Sequence, residues 1–445
     1  MSLTLIEGGI VLTSDPAQPL LQPGYVLIEN GIIKAVGEGT CDTPDIYQRI
    51  DASNKLVIPG LINAHTHLCM TLGRSLGADR SLLQWLTEAQ VPFMSQMTAE
   101  DHALAVKLGA IENLKAGNTT ICEIFFSARY PDGADSLAAQ ALDEVGIRAL
   151  FFRCSSDEEF APGFIESTAD IDKRSQELIK QWQTHDKIDI GVGPLVPWTA
   201  TEEYWADICS LRDTGISVHL HTAETPEYND LMLGRSGLSN VGFLADRGVL
   251  NEKVMLNHCV FLNDADIEAV ADSGASVIHD PTSNMFLASG IAPILKMRKA
   301  DITVGLACDG PACNNTQDMF EVMKDAALLQ KVTTCDATAL TARDVFAMAT
   351  IDGARACGME DKIGSLTAGK HADITIIDTL ASHLSPIHDP FATLVYSVRA
   401  ADVETVLVGG RVVVAQGKIQ TIDELDIIHQ AQKRAVELRQ AAKLD

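Results

Sequence analysis

Eight short apolar runs, each followed by a segment of helical character, constrain the fold of this chain more than any other feature. The runs are rich in β-branched residues and are centred on residues 61–62, 120–122, 149–152, 188–192, 217–220, 254–256, 276–278 and 303–306. Continuously apolar strands that alternate with helices indicate a parallel sheet buried on both faces. Eight such strands predict an α/β fold, a closed (β/α)8 TIM barrel.

Strand-like segments at both ends of the chain predict a second unit. The first 57 residues alternate apolar runs with turn signals such as Glu29-Asn30-Gly31. The same character returns in residues 374–377 and 403–408. We therefore expect residues 1–57 and 366–445 to form one composite β-sandwich domain that ends in a polar helix. Residues 58–365 would form the barrel.

Composition excludes several classes of partner. The formal net charge of -26 argues against nucleic acid and anionic membranes as partners. No apolar stretch is long enough to span a membrane, and the N-terminus lacks the basic and apolar regions of a signal peptide. The ten cysteines form no Cys-x-x-Cys pair. This pattern predicts reduced thiols in a cytoplasmic protein.

The first barrel strand ends in the sequence His65-Thr66-His67. Side chains two residues apart on a strand point to the same face, so His65 and His67 would project together. Neutral imidazoles in that arrangement suit a borderline cation such as zinc. The alternative is a pair of buried, hydrogen-bonded histidines with no ligand.

Four further strands also end in polar residues that can do chemistry. In a barrel the carboxyl ends of the strands form the active-site face, and these ends carry His221 and Glu224, His258, His279, and Asp309. Three histidines and one aspartate can hold a divalent ion and leave a position for water. The predicted ligands are His65, His67, His221 and Asp309. The fourth strand ends without a lysine that could bridge two ions, so we expect one metal, zinc by default with iron possible.

A bound metal would lower the pKa of its water and make a nucleophile. Glu224, three residues past His221, could then protonate a ring nitrogen of a substrate as general acid. Alternatively, Glu224 has only a structural role, as a carboxylate that the helix dipole stabilises at a helix N-terminus. His258 could orient the nucleophile or be a core histidine, and Asp309 could also take a proton from the water. His219 is interpreted as a core histidine, and His279 has no assigned role.

The chain resembles the amidohydrolase superfamily, in its mononuclear deaminase and triazine-hydrolase branch. The resemblance runs from about residue 4 to about residue 420 and rests on several specific motifs. These are residues 59–67 (PGLINAHTH), 221–225 (HTAET), 258–260 (HCV), 281–285 (PTSNM), 287–290 (LASG), 309–310 (DG) and 364–373 (GSLTAGKHAD). The resemblance implies hydrolytic removal of an amino group, or another leaving group, from an aromatic nitrogen heterocycle.

Within that branch the chain is most similar to S-adenosylhomocysteine/5'-methylthioadenosine deaminases. That similarity implies that Trp85, Glu88 and Arg153 bind substrate and that Glu88 holds ribose hydroxyls. Leu195 stands where the group carries a substrate-contacting histidine. Amino- or chloro-substituted s-triazine, pterin or guanine-type rings therefore remain alternative substrates.

The sequence thus predicts a metal-dependent hydrolase that deaminates a small-molecule heterocycle such as S-adenosylhomocysteine, 5'-methylthioadenosine or adenosine. A non-catalytic metal-binding protein is the alternative of another class. The resemblance to the family implies a homo-oligomer, either a dimer or a tetramer. An insert between the first two barrel strands, about residues 71–100, is expected to cover the mouth of the barrel.

Overall fold

A computed structural model describes residues 3–43, 46–128, 130, 133–158 and 163–444. The chain begins with strands β1 to β5, whose bounds are Leu3–Leu12, Leu20–Glu29, Ile32–Glu38, Gln48–Asp51 and Lys55–Pro59. Bulges between Glu7 and Val11 let β1 continue as one strand and pair with β2 on both sides of Gly8. Strand β4, which is short, polar and largely exposed, was not predicted from the sequence.

The predicted barrel is confirmed. Within the described residues, eight parallel strands follow one another in hydrogen-bonded order from β6 to β13. Their bounds are Leu61–Thr66, Asn118–Phe125, Arg148–Ser155, Ile188–Pro194, Val218–Thr222, Val254–His258, Ser276–His279 and Val304–Leu306. The first and last strands pack against each other, so the barrel is nearly closed. Every residue of β6, β7 and β8 is buried, as strands covered on both faces require.

A helix follows each of the eight barrel strands in the described part of the chain. From α1 to α8 their bounds are Leu82–Trp85, Val91–Met94, Ala99–Lys115, Ala134–Val145, Thr168–Trp182, Glu202–Asp213, Pro226–Ser236 and Asn240–Asp246. From α9 to α16 they are Asp264–Ser273, Pro281–Phe286, Ile294–Lys299, Met319–Thr334, Ala342–Met348, Ile351–Ala356, Pro390–Tyr396 and Glu424–Ala441. None of the described helices is both long enough and apolar enough to cross a membrane.

The two chain ends meet in one sheet, as predicted. Strands β14 to β17, with bounds Ile374–Asp378, Val403–Val408, Arg411–Ala415 and Lys418–Ile419, join β1 to β5. The link is the antiparallel pairing of β14 with β5. The chain passes from this sheet to the barrel at Gly60. A Cβ atom at Gly60 would lie 2.0 Å from Oγ1 of Thr119, so the crossing requires glycine.

The segment between β6 and α3 lies over the mouth of the barrel. It contains a 3-10 helix at Leu68–Gly73, then α1, a π-helical turn at Leu86–Gln90 and α2. Leu82, Trp85, Leu86 and Val91 from this segment line the cavity described below. This placement agrees with the expectation for the insert.

Candidate active site

Five side chains from four strand ends converge at one end of the barrel. His65 lies on β6, His67 follows it, His221 lies on β10, His258 ends β11 and Asp309 follows β13. The ring centroid of His65 is 4.7 Å from that of His67, 5.0 Å from that of His221 and 5.8 Å from that of His258. The structure therefore brings together the residues that the sequence predicted to meet.

His67 and His221 are fixed in the same tautomer by the backbone. Nδ1 of His67 donates to the carbonyl oxygen of Ile124 at 2.8 Å, and Nδ1 of His221 donates to that of Leu195 at 2.7 Å. A carbonyl oxygen can only accept, so the Nε2 atom of each neutral ring is an acceptor. These two Nε2 atoms lie 3.1 Å apart. Two facing lone pairs at that distance repel each other unless a cation lies between them.

Asp309 faces the same point from the end of β13, the strand that packs against β6. Its Oδ1 is 3.5 Å from Nε2 of His65 and 3.6 Å from Nε2 of His67. The backbone of Asp309 has a φ of 64°, a left-handed conformation that is costly for a non-glycine residue and often occurs at functional sites. Burial alone would raise the pKa of Asp309, but His65, His67 and His258 hold it well below its ordinary value.

The donor set suits a divalent metal ion. Burial lowers the pKa of His65, His67 and His221, which favours the neutral form of each ring, the form that binds a metal. Nε2 of His65 is buried and has no hydrogen-bond partner among the residues that the structure describes. Two overlapping groups have their donor atoms within 4.8 Å of one another: His65, His67 and Asp309, and His65, His221 and His258. Imidazole nitrogens with a carboxylate oxygen fit zinc or iron.

Glu224 and His258 stand beside this cluster. Oε2 of Glu224 is 3.6 Å from Nε2 of His258, and Oε1 accepts a hydrogen bond from Oγ of Ser289 at 3.3 Å. Burial raises the pKa of the Glu224 carboxyl, so it keeps a proton to higher pH than an exposed glutamate. A carboxyl in that state can donate a proton to a bound substrate.

The opposite side of the His258 ring faces polar groups of the next strand and helix. Nδ1 of His258 is 3.0 Å from Oδ1 of Asn284 and 3.6 Å from Oδ2 of Asp280. Asn284 lies on α10, and Asp280 immediately precedes that helix. These two residues hold the ring with Nε2 toward Glu224.

Several residues that position the site were assigned no individual role from the sequence. Oγ of Ser283 donates to Oδ2 of Asp309 at 2.6 Å, and Nε2 of Gln317 donates to the backbone oxygen of Asp309 at 2.8 Å. Ser283, Asn284 and Ser289 lie in the motifs 281–285 and 287–290, on which the family resemblance rests. Gln317 lies in none of the motifs identified in the sequence.

Glu123 on β7 holds the turn that follows His67. Its side-chain oxygens accept hydrogen bonds from the backbone nitrogens of Leu68 at 2.7 Å and Cys69 at 3.1 Å. The side chain is fully buried, and burial raises its pKa to about 8 despite these bonds. Glu123 therefore fixes the chain directly after a predicted ligand.

A cavity opens above the cluster and has two distinct surfaces. Its floor is polar and is formed by His67, His221, Glu224, His258 and Asp309. Its walls are mostly apolar and consist of Met70, Leu82, Trp85, Leu86, Val91, Phe126, Phe164, Leu195, Val196, Tyr228, Leu287 and Cys313. Trp85, predicted to bind substrate, is thus a wall residue.

The other two predicted substrate contacts do not line this cavity. The side chain of Glu88 is 56% exposed, and its Oε2 accepts from Nε of Arg80 at 3.1 Å. Arg153 is fully buried, and its guanidinium donates to Asp135 at 2.9 Å and Glu166 at 2.6 Å. Sequence similarity could not show these partners, because they come from other segments of the chain.

The two remaining histidines of the barrel strands, His219 and His279, are buried and do not line the cavity. Nε2 of His219 lies 3.2 Å from Nδ1 of His65, so His219 supports a predicted ligand from beneath. In the described part of the chain, neither ring nitrogen of His279 has a hydrogen-bond partner, and burial lowers the pKa of His279 to about 3.

Comparisons with known proteins agree with this architecture. A model of the amidohydrolase family matches residues 56–413. A 5'-deoxyadenosine deaminase of Methanosarcina mazei is 37% identical over 442 residues, covering 98% of this chain and 99% of that protein. A 5-methylthioadenosine/S-adenosylhomocysteine deaminase of Caldanaerobacter subterraneus subsp. tengcongensis is 36% identical over 440 residues, with the same coverage. The crystal structure of an adenosine deaminase from Xanthomonas campestris with bound zinc has a TM-score of 0.93, 30% identity and 98% coverage of both chains.

Proposed function

The chain belongs to the amidohydrolase family, and we propose how its own residues carry out the reaction of that fold. It is a hydrolase that acts on C–N bonds and deaminates adenosine-like substrates. Full-length identity of 36–37% to adenosine-type deaminases supports this activity.

His65, His67, His221 and Asp309 hold one divalent ion in this proposal. The observation that carries it is the pair of Nε2 acceptors of His67 and His221, which lie 3.1 Å apart with both Nδ1 atoms already bonded to backbone oxygens. Zinc is the proposed metal, because the histidine and carboxylate donors suit it and the Xanthomonas relative was solved with zinc. The bound ion would supply a water of lowered pKa as the nucleophile.

The roles of the protein residues follow from their positions around that point. Asp309 takes a proton from the water as it adds to the amine-bearing ring carbon. Glu224 protonates the adjacent ring nitrogen, because its buried carboxyl keeps a proton to higher pH than an exposed one. His258 stays close to Glu224 and orients the water. The amino group takes the proton held by Asp309 and leaves as ammonia. The ring keeps the oxygen of the water, and the remaining proton of that oxygen returns to Glu224.

The finer identity of the substrate is part of the proposal. 5'-Deoxyadenosine, 5'-methylthioadenosine and S-adenosylhomocysteine are the compounds named for the relatives. Amino- or chloro-triazines, pterins and guanine remain alternatives, since the cavity offers an apolar wall at Leu195. The predicted cytoplasmic location and homo-oligomer remain predictions.

Ammonia release from the full-length chain tests the proposal. The panel consists of adenosine, 5'-deoxyadenosine, 5'-methylthioadenosine, S-adenosylhomocysteine, guanine, a pterin and an amino-triazine, with metal content measured on the same sample. We expect release from the adenosines in the metal-loaded protein. Release of ammonia only from the free bases or the triazine would overturn the assignment of adenosines as substrates, but would still support hydrolytic deamination as the reaction.

A further inference from the structure

We propose that Gln317 is a positioning residue that sets the affinity of this chain for its metal ion. Its side-chain amide ties the main chain of Asp309 to β6, the strand that carries His65 and leads into His67. The amide thereby holds the carboxylate of Asp309 toward the two imidazoles. This inference rests on the proposed metal site and adds to it a determinant of affinity outside the ligand set.

The backbone of Asp309 requires support from its surroundings. Its φ of 64° is a conformation that a non-glycine residue keeps only where neighbouring groups hold it. Its backbone nitrogen donates to the carbonyl oxygen of His65 at 3.0 Å. Its own carbonyl oxygen accepts from Nε2 of Gln317 at 2.8 Å, and Oγ1 of Thr66 donates to the same oxygen at 3.1 Å. Both ends of Asp309 are therefore tied to β6, either directly or through Gln317.

The orientation of the Gln317 amide follows from its partners. Nε2 faces the backbone carbonyl oxygens of Asp309 and Thr316, each at 2.8 Å. A carbonyl oxygen can only accept, so the group that faces both oxygens must be the NH2 group. Oε1 accepts from Nδ2 of Asn63 at 3.0 Å and from Nδ2 of Asn113 at 3.1 Å. An apolar side chain of the same length could replace none of these contacts.

The surroundings of Gln317 keep its amide in place. The side chain is fully buried, as are those of Asn63 and Asn113. The backbone nitrogen of Gln317 donates to Oε1 of Glu112 at 3.2 Å, and its backbone oxygen accepts from Nδ2 of Asn118 at 3.0 Å. These partners belong to β6, β7 and α3, so three elements fix the residue. Buried hydrogen-bonded networks make the groups that they join more rigid.

The contact acts on a metal ligand and not on the substrate. Gln317 is not one of the described residues that line the cavity. We therefore expect the loss of its amide to weaken zinc binding, while KM for 5'-methylthioadenosine at saturating zinc stays at the wild-type value. Residues that hold a metal ligand in place contribute roughly 10–100-fold to metal affinity or activity.

Gln317→Met tests the proposal on the metal-free full-length chain. Methionine is close to glutamine in length and cannot donate to the carbonyl oxygen of Asp309. The zinc dissociation constant, measured by competition with a chromophoric chelator, should rise roughly 10–100-fold. The visible absorption spectrum of the cobalt-substituted chain should also change, because it reports the arrangement of the ligands. A dissociation constant equal to that of the wild type would overturn the proposal.

Asn240→Leu is the matched control, because it removes a buried amide from another element. Asn240 lies on α8, is fully buried and donates from Nδ2 to Oδ1 of Asn229 at 2.6 Å. This variant should lower the free energy of unfolding but keep the zinc affinity and the cobalt spectrum of the wild type. An equal loss of zinc affinity in both variants would show that Gln317 acts only through overall stability, and the proposal would fail.

Thr66→Val provides the test if Gln317→Met does not fold. Valine has the shape of threonine but lacks the hydroxyl, which lies 2.9 Å from Oε1 of Gln317 and 3.1 Å from the carbonyl oxygen of Asp309. We expect about a tenfold loss of zinc affinity, and an unchanged affinity would overturn the proposal. If the wild-type chain binds no zinc, the proposed function fails. If the wild type binds zinc and releases ammonia but the variants bind zinc equally well, only this inference fails.

Discussion

The Nε2 atoms of His67 and His221 lie 3.1 Å apart, although 154 residues separate them in the sequence. Each ring is held by a backbone carbonyl oxygen at its other nitrogen, so both Nε2 atoms present lone pairs to the same point. With Asp309 within 3.6 Å of His67, the barrel positions a set of donors whose mutual repulsion a divalent cation would relieve. The predictions below follow from this arrangement and from the groups that support it.

Replacing Glu224 by glutamine should remove turnover without removing metal. The amide cannot donate a carboxyl proton, and a general acid contributes roughly 10²–10⁴ to the rate. The check is kcat for ammonia release together with metal content. Glu227→Gln is the matched control, because Glu227 is exposed on α7 three residues away. Full activity of Glu224→Gln would contradict the role assigned to this residue.

Replacing His221 by asparagine should reduce metal content and activity together. The variant removes one imidazole donor of the cluster and the ring's hydrogen bond to the carbonyl oxygen of Leu195, which still accepts from the backbone nitrogen of residue 221. Metal bound after dialysis against a weak chelator is the measurement. The exposed His388, changed to asparagine, serves as control and should bind metal like the wild type. Unchanged metal content in His221→Asn would remove this residue from the ligand set.

Arg153→Met should destabilise the fold and should not change substrate preference. The substitution deprives the largely buried Asp135 and Glu166 of their contact with this cation, which costs roughly 3–5 kcal/mol. Thermal or denaturant unfolding measures this cost. The exposed Arg439→Met should shift stability by no more than about 0.5 kcal/mol. An unaltered stability with selective loss of activity toward S-adenosylhomocysteine would show that Arg153 contacts substrate after all.

Glu123 should make the stability of the fold fall as the pH rises above about 4.5. Burial raises its pKa from 4.5 to about 8, so in that window the unfolded chain releases a proton that the folded chain keeps. The cost to stability is about 1.4 kcal/mol per pH unit for one such proton. The protonated carboxyl contributes its full stabilisation at pH values below the pKa that Glu123 has in the unfolded chain. This contribution is lost as the pH rises through the pKa that Glu123 has in the folded chain.

Glu123→Gln isolates this effect, because glutamine does not titrate. Relative to that variant, the wild type should lose free energy of unfolding steadily between about pH 5 and the folded pKa of about 8, measured by urea denaturation in matched buffers. Glu100→Gln on the exposed start of α3 is the control and should follow the wild type. A difference between wild type and Glu123→Gln that does not vary with pH would show that Glu123 is ionised in the folded protein.

The barrel and its polar strand ends could be predicted because both are local signals. Each apolar run is long enough to define a strand, and strands that run in parallel must bring their carboxyl ends to one face. The strand β4, Gln48–Asp51, could not be predicted, since its residues are mostly exposed and polar and it forms only by pairing with β1.

The supporting contacts of the site were harder to predict because their partners are remote in sequence. Trp85 and Glu88 belong to one short segment, and only the packing of that segment decides that Trp85 faces the cavity while Glu88 faces solvent. Arg153 ends a barrel strand as a substrate ligand might, yet Asp135 and Glu166 from two other segments occupy its guanidinium.

Reconstitution of the metal-free full-length chain tests the central claim most directly. Zinc is added in steps, and ammonia release from 5'-methylthioadenosine is measured at each step. The account predicts no release without metal, a linear rise to one equivalent of zinc per chain, and then a plateau. Full activity of the metal-free chain, or a rise that continues to two equivalents, would contradict a single ion held by His65, His67, His221 and Asp309.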